Sequence, residues 1–92
     1  MQMGNMIRFA GEAASIYRTM TDSGTTKKEQ RTTQAVFKGM AIAAVSFGLV
    51  QHESALEDSI MEGIRAAGPQ RAGTSQADFD RRVATEIAAR LS

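Results

Sequence analysis

The chain has 92 residues, 42% of them apolar and 23% charged, with a net charge of +1, no cysteine and no tryptophan. A domain of this length buries only roughly 60–65% of the surface its unfolded chain exposes, so residues 1–92 read as a single domain with a thin core. The near-neutral total gives no support to nucleic acid or an anionic membrane surface as partner. The missing thiols exclude a disulfide frame and thiolate chemistry and fit the cytoplasm.

Charge is unevenly spread. Residues 1–50 carry six basic and three acidic groups, or +3, and residues 51–92 carry five and seven, or −2. That asymmetry suits antiparallel or head-to-tail pairing of copies. Sustained alternation of apolar and polar residues is missing, and the Ala, Glu, Arg and Met content favours helix, so the expectation is an all-α chain.

The first helix is expected from about Met3 to Met20, because Met3, Met6, Ala10, Ala13, Tyr17 and Met20 recur at alternating spacings of three and four. Gly24 is read as the left-handed residue that ends it. The stretch SGTTKKEQRTTQ, residues 23–34, follows. Within it Thr26-Lys27-Lys28-Glu29 has the form of a capping box, which makes the stretch a helix stop, a turn and a helix start. The alternative is an anion site. Tyr17, Arg18, Thr25, Thr26, Lys27, Lys28 and Arg31 would surround a helix N-terminus and could hold a phosphate-bearing metabolite, a nucleotide or an acidic stretch of protein.

The second helix is expected to start at Lys27 and run at least to Val50. Its longest apolar run, Ala35 to Val50, is interrupted by Lys38 and Ser46 and falls short of the roughly 20 apolar residues that span a bilayer, so no membrane span is expected. Apolar residues surround its axis, as in a central helix. Ala35, Gly39 and Ala43, then Ala44 and Gly48, place small residues four apart. Each Gly inside a helix costs about 0.8–1 kcal/mol relative to Ala, so close packing of another helix is expected at Gly39, Ala43 and Gly48. Beyond Val50, Leu56, Ile60 and Ile64 form a narrower stripe and Ser54-Ala55-Leu56-Glu57 resembles a second cap. Continuity of one long central helix to about Ala67 is expected, with a break near His52 to Ser54 as the alternative. Gly68-Pro69 stops the helix. Ser75 caps the last one, in which Phe79, Val83, Ile87 and Leu91 fall on one face and Arg82, Glu86 and Arg90 on another.

Chemistry finds little purchase. His52 is the only histidine, and Glu53, Glu57, Asp58 and Glu62 do not converge with it at metal-ligand spacing. Neither a nucleophile elbow nor a phosphate-binding glycine loop occurs. The basic residues of the last segment, Arg71, Arg81, Arg82 and Arg90, are balanced by Asp78, Asp80 and Glu86, which argues against a nucleic-acid recognition helix. The sequence therefore predicts a small bundle of three helices, or four if the central one breaks, completed by oligomerisation, with a dimer favoured. It predicts no enzyme, no metal and no cofactor. The expected function is a helical interaction protein of adaptor or inhibitor type that binds proteins through a helix face and self-associates; the alternative is the small-ligand binder at residues 25–31.

Overall fold

A computed structural model describes residues 2–91. It contains four helices, α1 (Met3–Thr21), α2 (Lys27–Ser46), α3 (Ser54–Ala67) and α4 (Gln76–Ala88), and no strand among those residues. Two of the helix starts are those legible in the sequence. Thr26 Oγ1 accepts the Glu29 N–H at 3.2 Å, and Ser75 Oγ accepts the Asp78 N–H at 3.1 Å, so each hydroxyl satisfies one of the free donors of its first turn. At α3 the expectation fails. Ser54 is the first helical residue rather than the cap, the capping position falls on Glu53, and the Ser54 hydroxyl pairs with His52 Nδ1 at 2.8 Å.

The long central helix is the principal correction. The helix stops at Ser46, and Gly48 takes φ +73°, a conformation open to glycine and costly for other residues. The Gly48 N–H donates to Val45 O at 3.0 Å and the Leu49 N–H reaches back to Ala44 O at 2.8 Å, which is the paired hydrogen-bond pattern of a Schellman stop. What holds the stop is burial. Leu49 is 2% exposed and joins Val50 in the core, whereas a continued helix would carry both outward. Gly48 is thus a turn residue and not a helix-packing one.

The end of α1 also differs from expectation. Gly24 does not adopt a left-handed conformation; instead Asp22 leaves the helix in an extended conformation and its Oδ1 accepts the Gly24 N–H at 3.0 Å. Thr25 Oγ1 donates to Thr19 O at 3.0 Å, satisfying a terminal carbonyl. Gly68, with φ +69°, closes α3 as the sequence indicated.

The core is built around α4, which packs between α1 and α3 and carries Val83, Ala84, Ile87 and Ala88 into contact with Ala10, Ala13, Ala14, Leu56 and Ile60. The α3–α4 contact is unusually close at Gly63. A β-carbon placed there would meet the Ile87 side chain at Cγ1 and its backbone Cα and N at 2.8 Å. Helix α2 lies against α1 through Phe37, Ala41 and Ala44 and touches α3 only lightly. The shortest dimension of the molecule is 18 Å, no more than two helix layers, so α2 is covered on one side and open on the other.

Candidate interaction surface

On α2 the side chains of Phe37, Ala41 and Ala44 face inward, Met40 packs partly against the core, and Val36, Ile42 and Val45 face water. Phe47 is 67% exposed, Ile42 48% and Val36 45%, with Val45 also exposed and Met40 and Ala43 half-buried. Between Thr32 and Gln51 the only charged residue is Lys38, and its Nζ already pairs with Glu53 Oε1 at 2.6 Å. The open face of α2 is therefore apolar over its second half apart from Lys38, whose exposed ammonium is held by Glu53. Beside it runs a groove of about 390 Å³ between α1 and α2, lined by Glu12, Ser15, Ile16, Val36 and Met40.

Gly39 belongs to this open face. It is exposed, and a β-carbon added to it would meet nothing within 4 Å, so no helix of the same chain crosses at Gly39. Ala43 beside it is half-buried. The intramolecular close crossing lies instead at Gly63. Its signal was present in the sequence, since Gly63 stands three residues after Ile60 and seven after Leu56, on the stripe that faces the core.

The residues proposed for an anion site are dispersed. Tyr17 packs its ring on Phe37, centroids 6.1 Å apart and planes tilted by 50°, in the α1–α2 contact. Arg18 turns to α4, where its guanidinium lies 3.5 Å from Asp80 Oδ1 and 5.9 Å from the Phe79 ring centroid. That pair sits at a cleft of about 260 Å³ lined by Gly11, Ala14, Ser15, Arg18, Thr19, Asp80 and Val83. Thr25 and Thr26 spend their hydroxyls on the backbone, as described above. Thr32 and Thr33 do the same, donating to Lys28 O at 3.1 Å and Glu29 O at 2.9 Å. Only Lys27, Lys28 and Arg31 stay together, all exposed, in the first turns of α2. Among the described residues no group of three or more His, Cys, Asp or Glu side chains is placed to hold a metal ion. No helix there is long and apolar enough to cross a membrane.

No family model matches the chain, and neither a curated protein nor a solved structure shows a match to it.

Proposed function

We propose that the chain is a small non-enzymatic helical interaction protein that binds protein partners through the open face of α2. The observation that carries this reading is the exposure of Val36, Ile42 and Val45 on one helix and of Phe47 at its C-cap, with Lys38 as the one charged residue from Thr32 to Gln51. Exposed apolar side chains gathered on one element commonly mark an interaction site in a soluble protein. An aromatic side chain such as Phe47, rigid and mostly in water, is the kind of group that anchors a protein interface. The glycine at position 39 adds that a partner backbone can approach closely there.

Site-specific photo-crosslinking in cells tests the reading. A photoreactive phenylalanine analogue at position 47 or at position 36 should yield protein adducts, while the same analogue in place of Arg81, on the polar face of α4, should yield none. Equal labelling from both helices, or no adduct from α2, would sink the assignment of this face.

A further inference from the structure

We infer that the occupant of the α2 face is the α2 of a second copy, packed antiparallel about a two-fold axis, with Phe47 of each copy seated over Val36 of the other. This rests on the reading of α2 as the interaction surface and names a partner for its Val36–Phe47 edge; Ile42 and Val45, six and nine residues after Val36, lie round the helix from that edge and stay outside the seam.

Self-complementarity carries the choice. Val36, Met40, Ala43 and Phe47 follow one another at steps of four, three and four, a spacing that reads the same in both directions. Reversing a second α2 about the midpoint between Ala41 and Ile42 sets Phe47 against the other copy's Val36, and Met40 against its Ala43. Each layer then opposes a large side chain to a smaller one, and each occurs twice, as an isologous two-fold interface demands. The two layers also follow the alternation of an antiparallel coiled coil, in which a knob from one helix enters a hole formed by four residues of the other. Val36, Gly39, Met40 and Ala43 form such a hole. Gly39 and Ser46 flank the stripe with small side chains, so neither copy holds the backbones apart. Phe47 would enter the groove already lined by Ile16, Val36 and Met40.

Area and charge agree with a second copy rather than a larger partner. With Val36 and Phe47 exposed and Met40 and Ala43 half-buried, the stripe together with the groove residues Glu12, Ser15 and Ile16 offers on the order of 500 Å² per copy, or about 1,000 Å² in total. That lies at the low end of specific interfaces and suits a dimer in the micromolar range. The seam is short because polar residues follow it on both sides, Thr32 and Thr33 before it and Gln51 and His52 after it. The stripe itself contains no ionisable group, and the one carboxylate that lines the groove, Glu12, is exposed to water.

Sedimentation equilibrium and thiol trapping decide the matter. The wild type should show a monomer–dimer equilibrium, Phe47→Glu should raise the dissociation constant at least tenfold, and Met61→Glu, an equal insult to an exposed apolar side chain of α3, should leave it unchanged. Because the chain has no cysteine, Val36→Cys mixed with Phe47→Cys should form a mixed disulfide far faster than either chain alone. The two copies of residue 36 would stand about 16 Å apart along the helix axis alone in this pairing, beyond the reach of a disulfide. Met40→Cys mixed with Ala43→Cys repeats the test with Phe47 intact. Rapid cross-linking of Val36→Cys with itself would overturn the antiparallel arrangement. A wild type that stays monomeric to millimolar concentration overturns the inference outright. If position 47 still yields adducts, all of them to other proteins, the binding face survives and its self-pairing does not; with no adducts, both fall.

Discussion

Gly63 is where one added methyl group should tell most about the packing. Replacing it with Ala raises intrinsic helix propensity, which by itself would stabilise α3 by about 0.8–1 kcal/mol. Against this, the new Cβ would sit 2.8 Å from Ile87 N and Cα and would also collide with the Ile87 side chain. The side chain could rotate away, but a backbone atom cannot, so α3 and α4 must part by about 0.6 Å to restore ordinary contact. Such overpacking typically costs 1–3 kcal/mol, and here it loosens Leu56, Ile60 and Ile87, all fully buried. The expected net result is a loss of up to about 2 kcal/mol, which for a domain of this size lowers Tm by up to roughly 15 °C. Gly39→Ala is the internal control: it carries the same propensity gain with nothing within 4 Å to collide with. In dilute solution it should raise stability by about 0.5–1 kcal/mol. Chemical denaturation of both variants followed by circular dichroism measures the difference. If Gly63→Ala is as stable as Gly39→Ala, the close α3–α4 crossing is wrong.

Further outcomes follow from the turns. Gly48→Ala should destabilise by about 1–2 kcal/mol, because a β-carbon at φ +73° is strained whatever the space around it, and the same denaturation assay should detect it. Thr26→Ala should cost about 0.5–2 kcal/mol through loss of the cap to Glu29. Lys27→Ala and Lys28→Ala should be neutral or slightly stabilising, since both remove positive charge from the positive end of a helix. Polyphosphates or nucleotides should leave the wild-type Tm where it is; a ligand-dependent rise that disappears with the two lysines would restore the anion site.

The helical class, the caps at Thr26 and Ser75, the stop at Gly68-Pro69 and the apolar face of α4 were all determined by the sequence itself. Each depends on groups within about one helical turn of one another, a hydroxyl and an N–H three residues on, a glycine beside a proline, or side chains at i and i+4. The break between α2 and α3 was of another kind. Gly48 inside an apolar run reads equally well as an interior residue of a buried helix or as its stop, and the choice fell to Leu49 and Val50, whose burial against other helices requires the turn. The same is true of the glycines at 39 and 63. Local pattern marks both as openings for a close neighbour, but only the path of the chain after Gly48 puts α4 against Gly63 and leaves Gly39 in water. Arg18, too, stands in sequence next to Tyr17 and near the basic turn, yet the face of α1 that carries it meets α4, where Asp80 and the Phe79 ring draw the guanidinium away from Lys27 and Lys28. Contacts between residues dozens of positions apart depend on how the helices pack, and neither composition nor periodicity records that; the open face of α2 is its consequence.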